Sequence, residues 1–419
     1  MSHAYAIEGG RPLRGEVSCS GATKNSALKI LAAALLAPGT SEIRRVADVV
    51  DVRLFADVLR GLGATLTFRD GVAEISVPQR LGVEAPYELV SKMRASTAVL
   101  GPLLAREGKA KVALPGGDFL GPRPIDIHLR GLEQLGAEIR VAHGFVEASC
   151  DGLRGAVLNL EYPSHGATEN LLMASVLAKG HTVIENASRE PEIADLADFL
   201  TQMGAKIDGA GSHTIEVDGV DELKPTTFEV MPDRLEAATY LFAAATAGGE
   251  ITVRDIVPAH LEIVLETLSD AGMAVDASED RVHLVAEGRP RAVDVSTLPY
   301  PGFPTDLQPM AMAMLTLADG MSIITENIYD ARFFHVDELA RMGADVRVER
   351  HYAVVRGVQE LTGAEVKAAD VSAGAALVIA GLAARGRTRV EEIFHIDRRY
   401  ENLEGKLSGL GAAIERVPA

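Results

Sequence analysis

The sequence predicts an α/β (α+β) chain of two lobes, each built from three copies of one βαβαββ unit with its buried helices inside and its sheets outside. Three observations predict it. Leu59-Arg60-Gly61-Leu62-Gly63-Ala64 recurs as Leu132–Ala137, Leu200–Ala205, Leu268–Met273, Leu339–Ala344 and Leu407–Ala412, at a spacing of about 70 residues that marks one supersecondary unit per copy. Every copy is preceded by an alanine-rich apolar run: Ala27–Leu36, Ser96–Ala105, Asn170–Ala178, Ala237–Ala247, Met310–Ala318 and Gly374–Ala384. Six such units exceed one hydrophobic core, so three per lobe is the expected division.

Within a unit the elements follow in a fixed order. The apolar run has no polar face, which reads as a helix buried on all sides. Gly39, Gly108, Gly180, Gly249, Gly320 or Gly386 comes next, suited to a left-handed helix C-cap. A β-branched segment such as His181-Thr182-Val183-Ile184 then reads as a strand. The second helix is amphipathic, as in Ile193–Leu200, and stops at the repeated Leu-Gly-Ala segment. Two alternating segments close the unit as a hairpin, for example Ala137–Val141 and Phe145–Ser149 around a turn at Ala142-His143-Gly144. The expected lobes are 22–231, holding units one to three, and 1–21 with 232–419, holding units four to six, with the active site in the cleft between them. The early strands around Tyr5–Glu8 and Glu16–Ser18 start the chain in the second of these lobes.

Composition narrows the function classes. Hydrophobic residues make up 47% of the chain, and 59 acidic against 41 basic residues give a net charge of −18. That charge opposes nonspecific nucleic-acid binding. No apolar stretch reaches the ~20 residues of a membrane span, and no secretory signal is visible. Two cysteines, Cys19 and Cys150, fit a reducing cytoplasm rather than a disulfide framework. No Cys/His cluster has metal-ligand spacing, so neither metal nor cofactor is expected.

What the six copies share is scaffold, so chemistry belongs to the residues that break the pattern. Leu114–His128 replaces a simple strand-to-helix link with a loop of three glycines and three prolines carrying Asp118 and Arg123. Such a loop can approach a ligand closely and can move. Arg123 falls where the next helix is expected to begin, and guanidinium and helix N-terminus both favour an anion there. Other breaks are Gly21–Asn25, Lys92–Ser96, Pro163–Thr168, Pro232–Glu236, Phe303–Gln308, Tyr329–Phe333 and His395–Tyr400, all expected at helix starts. A single Lys24 or Arg332 is more often a solvated charge. Lys24, Arg94, Arg123, Arg332 and Arg398 together, in so acidic a chain, favour a site for a polyanionic small molecule, with Asp118 and Asp306 as acid and base.

At these residues the chain resembles the UDP-N-acetylglucosamine enolpyruvyl transferases (1-carboxyvinyltransferases), end to end. Lys24-Asn25, Lys92–Ser96, Leu114–His128, Gly166-Ala167-Thr168, Pro232-Asp233-Arg234, Phe303–Gln308, Arg332-Phe333 and His395–Arg398 carry the resemblance. It implies two domains of threefold pseudo-symmetry and a cleft that closes on a nucleotide sugar. It implies addition of the sugar 3-hydroxyl to C2 of phosphoenolpyruvate with protonation of C3, then loss of phosphate, at the start of peptidoglycan precursor synthesis. By the same resemblance Asp118 takes the place of a mobile general acid that is usually cysteine, and Asp306 receives the hydroxyl proton. Lys24, Arg123 and Arg398 hold phosphate, with Arg332 and Arg398 near the carboxylate; Lys24 and Arg398 thereby join the catalytic set. Asn25, Arg94, Arg123, Pro124, Ile125, Asp126, Ile127, Ser164, His165, Gly166, Asp306 and Ile328 hold the UDP-sugar.

Four positions depart from the family pattern. Thr23 is an extra residue before Lys24, His165 stands where a small apolar residue flanks the uridine, Arg399 replaces a glycine, and Ser372 replaces an arginine that contacts phosphoenolpyruvate. Arg399 is the expected substitute for that missing cation. Two other functions stay open at this point: a paralogue acting on another uridine nucleotide or nucleotide sugar in secondary metabolism, and a catalytically weak nucleotide-sugar-binding regulator. The shikimate-pathway enolpyruvyl transferase shares the architecture, but the Leu114–His128 loop points to the nucleotide-sugar branch. Phosphoenolpyruvate and a uridine nucleotide sugar are the expected partners, with no nucleic acid, membrane insertion or protein partner implied.

Overall fold

The repeated Leu-Gly-Ala segment is a helix stop with one geometry in all six places. In the computed structural model, which describes residues 3–19, 21, 24–85, 87–90, 93–114, 125–329 and 332–419, Gly63, Gly136, Gly204, Gly272, Gly343 and Gly411 have φ between 92° and 110°. Glycine is the residue that adopts such angles without a Cβ penalty. The amide of the residue after each glycine bonds back to the carbonyl of the repeated leucine, as from Ala64 to Leu59 (3.1 Å), Ala205 to Leu200 (2.9 Å) and Ala412 to Leu407 (3.0 Å). The glycine amide bonds to the next carbonyl along, as from Gly63 to Arg60 (3.0 Å). This pair of bonds is a Schellman motif. The period seen in the sequence is therefore the period of this cap.

The described residues fall into two compact units: one between Gly21 and Met231, the other before Ser20 and from Pro232 to Ala419. Each has its own hydrophobic core. In the second unit the helices Arg234–Ala247, Gln308–Leu315 and Val371–Ala383 pack on one another, buried along nearly their whole length. In the first, His165–Ser175 packs on Leu100–Glu107. Alanine is frequent in Arg234–Ala247 and Val371–Ala383, where small side chains let enclosed helices approach closely. A Cβ on Gly101 would lie 2.3 Å from the Asn170 carbonyl oxygen.

Six sheets are present among the described residues, five of four strands and one of three. In each four-stranded sheet the strand after a buried helix pairs antiparallel with a long neighbour and parallel with a strand from elsewhere. Thr227–Glu229, late in the first unit, pairs parallel with Gly39–Arg44. In the second unit Leu13–Ser18 pairs parallel with Gly249–Arg254. His3–Glu8 lies between Arg387–Glu391 and Ala413–Pro418, so strands from opposite ends of the chain complete the last unit's sheet.

Local readings need three corrections. The six glycines after the buried helices are not all left-handed caps: Gly108 is one (φ 68°, ψ 5°), but Gly39 and Gly249 open strands with φ of 117° and 125°. A Cβ on Gly249 would lie 1.9 Å from the Leu13 carbonyl oxygen, so close strand pairing demands glycine there. Two apolar runs are not single α-helices, because Ala34–Leu36 and Arg94–Val99 form 3-10 turns at one end of their helices. The hairpin of Glu138–Ala142 and Phe145–Ser149 turns on His143-Gly144 alone, with φ of 53° and 80°, and Ala142 is the last paired residue. Positive φ at both turn residues matches the twist of the strands.

Candidate active site

In the unit from Pro232 to Ala419, the chain enters the buried helix Gln308–Leu315 through a 3-10 turn, Thr305–Leu307. Pro304 ends the preceding extended segment and places Asp306 in that turn. The Asp306 carboxylate is held at both oxygens: Arg332 Nη1 donates to Oδ1 at 2.8 Å and Arg399 Nη2 to Oδ2 at 2.7 Å. Burial alone would raise its pKa, but the two guanidinium groups outweigh that and hold it well below the ordinary carboxylate range. Arg332 also donates to Thr305 Oγ1 at 3.0 Å and to Ser372 Oγ at 3.2 Å. Ser372 sits in the first turn of helix Val371–Ala383, which Asp370 caps by accepting from the Ala373 amide at 2.8 Å.

The expected site residues Asp306, Arg332 and Arg399 thus stand in one cluster with Ser372. Arg399 reaches Asp306, and Arg332 is the residue that bonds Ser372. Arg398 and Arg399 are buried, but they follow the one-turn helix Phe394–Asp397 instead of opening a helix. That helix has no N-terminal dipole of useful length to offer an anion, so the arginines act by their own charge. Arg332 likewise leaves a loop between Met321–Thr325 and Val336–Arg341.

Two neighbours escaped the sequence reading. Glu326 is fully buried. Its Oε1 accepts from Thr297 Oγ1 (2.8 Å) and from the amides of Ile328 (2.8 Å) and Tyr329 (3.1 Å), and its Oε2 from Thr305 Oγ1 (2.9 Å). It therefore fixes the backbone at Ile328 and ties it to the Asp306 turn. A lone glutamate after a strand carries no signal of that role. His335 is buried, and burial with the charge of Arg332 pushes its pKa down to about 3, so it is a neutral packing partner at ordinary pH.

In the unit from Gly21 to Met231, Lys24 opens helix Lys24–Ala33 and pairs with Asp51 at 2.8 Å. Asn25 follows it, half-buried. Ile125 precedes helix Asp126–Gln134, and Asp126 pairs with Arg130 at 2.8 Å on the exposed face. Ser164 caps helix His165–Ser175 by accepting from the Ala167 amide at 3.3 Å. His165 turns toward acidic neighbours, with Nε2 at 2.9 Å from Glu169 and Nδ1 at 2.5 Å from Glu190. Glu169, itself buried, also meets Lys29 at 2.6 Å. Burial would lower the His165 pKa, but the two glutamates raise it well above the usual histidine value. Gly166 packs on His128, where a Cβ would come within 3.2 Å of the imidazole. Thr23, Lys92, Asp118, Arg123 and Pro124 lie outside the described residues, as does the side chain of Arg94.

Among the described residues no group of His, Cys, Asp or Glu could hold a metal ion, and no helix is long and apolar enough to cross a membrane. Residues 7–407 match the EPSP synthase family (3-phosphoshikimate 1-carboxyvinyltransferase). The UDP-N-acetylglucosamine 1-carboxyvinyltransferase of Mycobacterium leprae (strain TN) is 52% identical over 100% of both chains. That of Corynebacterium jeikeium (strain K411) is 51% identical, also over 100% of both. The chain belongs to the UDP-N-acetylglucosamine 1-carboxyvinyltransferases. Solved structures agree on the family's fold. The crystal structure of the enolpyruvyl transferase NikO from Streptomyces tendae covers 100% of both chains with a TM-score of 0.89 at 25% identity. The EPSP synthase of Acinetobacter baumannii, at 17% identity and a TM-score of 0.76, shares the fold. A 1-carboxyvinyltransferase scaffold thus persists while sequence identity falls to less than a fifth.

Proposed function

We propose that this protein transfers the enolpyruvyl group of phosphoenolpyruvate to the 3-hydroxyl of UDP-N-acetylglucosamine, releasing phosphate, in peptidoglycan precursor synthesis. The observation that carries the reading is full-length identity of 51–52% to transferases of that name. The doubly held Asp306 suits the chemistry. A base must be ionised before it can accept a proton, and the two arginines keep Asp306 so. They also weaken it as a base. The proton therefore moves late, as the sugar oxygen bonds C2 and the hydroxyl becomes strongly acidic.

In the addition step the 3-oxygen attacks C2, Asp306 takes the hydroxyl proton, and Asp118 delivers a proton to C3. In the elimination step C3 gives up a proton, the double bond re-forms and the C2–phosphate bond breaks. Lys24, Arg123 and Arg398 hold the phosphate, and Arg332 and Arg398 the carboxylate. Arg399 joins them through its buried Nε and Nη1, which have no hydrogen-bond partner among the described residues. Asn25, Arg94, Arg123–Ile127, Ser164–Gly166, Asp306 and Ile328 take the UDP-sugar, with Ser164 contributing mainly through the helix it caps. Fixed cations stabilise charge as it shifts between two polyanions. The two free thiols support a reducing, cytoplasmic setting for the reaction.

Mass spectrometry of the protein incubated with phosphoenolpyruvate and a panel of uridine nucleotides tests this. The expected result is a product about 70 mass units heavier than UDP-N-acetylglucosamine, one enolpyruvyl group in place of a hydrogen. The same gain on a different uridine nucleotide, and not on this one, identifies a paralogous acceptor instead.

A further inference from the structure

Asp306 must present one lone pair to a hydroxyl, yet it sits in a short 3-10 turn that leaves its side chain several rotamers. What restricts it is its contacts. Arg332 and Arg399 bond its carboxylate, and Glu326 holds Thr305 in its turn. Arg332 is anchored three ways, to Asp306, Thr305 and Ser372. Its charge is further balanced by Asp370 and Glu326. Arg399 differs. Among the described residues its only hydrogen bond is the one from Nη2 to Asp306 Oδ2, although its side chain is just 5% exposed. Asp233 and Tyr400 are its other electrostatic neighbours. A buried guanidinium that makes one bond is costly. The one contact it makes joins it to Asp306 through Nη2, apart from the Nε and Nη1 edge left for phosphoenolpyruvate.

We infer that Arg399 is a positioning residue for Asp306: it pins Oδ2, so that the carboxylate keeps one orientation and one charge state while Arg332 holds the other oxygen. The inference deepens the assigned reaction and rests on Asp306 acting as its base. Arg399 acts through Asp306 and need not touch the sugar. Ser372 fits the same arrangement. An uncharged acceptor at that position lets Arg332 span from Asp306 to helix Val371–Ala383, and the second cation arrives from the opposite side as Arg399.

The test follows Asp306 directly, by NMR titration of protein labelled with ¹³C at aspartate carboxyl carbons, with Asp306→Asn identifying the signal. In Arg399→Gln the midpoint is expected to rise by about one pH unit or more, the size of losing one adjacent opposite charge. Arg399→Lys, which keeps the charge, should lie closer to wild type. In the same variants kcat should fall, and its acid limb should move to higher pH in the order Gln beyond Lys. An unmoved Asp306 titration in Arg399→Gln, with only the KM for phosphoenolpyruvate raised, would overturn the proposal and leave Arg399 as an anion contact. If Arg399→Gln does not fold, Arg399→Lys decides: loss of the planar fork must still lower kcat and displace the limb, and wild-type behaviour overturns the proposal. The titration needs no substrate. A protein showing the shift but making no enolpyruvyl product would refute the assigned reaction and not the positioning.

Discussion

Ser372 Oγ accepts a hydrogen bond from Arg332 Nη2 at 3.2 Å. The family pattern implies a cation at position 372, and here a neutral acceptor steadies another cation instead. Arg399, on the other carboxylate oxygen of Asp306, is a second buried cation in the cluster.

The exchange is testable as a pair. Arg399→Gly is expected to raise the KM for phosphoenolpyruvate about tenfold, the size of one charge-assisted contact. Ser372→Arg in that background should bring it down again. Steady-state kinetics at saturating nucleotide sugar measure both. A KM that ignores both substitutions would mean that neither position senses this ligand.

Asp118 calls for a separate test, since it holds the place of a cysteine in the family pattern. Asp118→Asn removes the transferable proton while keeping the shape, so turnover should vanish and calorimetric binding of the nucleotide sugar should persist. A carboxylate is a far weaker nucleophile toward an epoxide than a thiolate. The protein should therefore resist fosfomycin, and Asp118→Cys should acquire time-dependent inactivation by it. Activity remaining in the Asn variant would take Asp118 out of the mechanism.

Sequence made the scaffold legible because its caps and buried helices use short-range signals. Each Leu59-like residue and each Gly63-like residue sits within one helix end, so periodicity alone exposes them. Asp306 and Arg332 were legible for a different reason: they interrupt that period. The supporting residues were not. Glu326 acts on Thr297 and the Ile328 amide, and Asp195 on Ser26 and Met231. Thr297, Ser26 and Met231 lie dozens of residues from the carboxylates they bond, and such pairs leave no local pattern. His165 was legible as a departure but not in its cause, because Glu190, ahead of helix Pro191–Gln202, becomes its partner only once that helix is folded beside His165–Ser175.

His165 is expected to matter for stability at neutral pH. Its folded-state pKa is raised, by the two glutamates against burial. It therefore contributes stability that is full below the unfolded value of about 6.5 and is lost only as pH rises through the higher folded value. His165→Ala leaves Glu169 buried with Lys29 as its remaining cation. A cost of about 2–4 kcal/mol is expected, somewhat under that of breaking a fully buried pair. Thermal melts of wild type and variant at pH 6 to 10 should converge toward the alkaline end. A variant equally stable at pH 6 would show the ion pairs to be idle.

Asp195 predicts a dependence in the same direction, the reverse of that of a salt-bridged carboxylate. It lies on helix Pro191–Gln202, accepts from Ser26 Oγ at the start of helix Lys24–Ala33, and accepts from the Met231 amide at 3.3 Å. Burial is the largest influence and raises its pKa to about 7, with Glu192 and Asp198 adding repulsion against those two hydrogen bonds. A folded pKa above the unfolded value of about 3.9 means that stability from this group is complete below pH ~4 and is lost as pH climbs through 7. Asp195→Asn keeps an acceptor for both donors and cannot ionise. Its stability relative to wild type should thus rise between pH 5 and pH 8, as read by denaturant unfolding at each pH. A constant difference across that range would show that Asp195 does not titrate there, and a large loss at every pH would mean that the amide cannot replace the carboxyl between Ser26 and Met231.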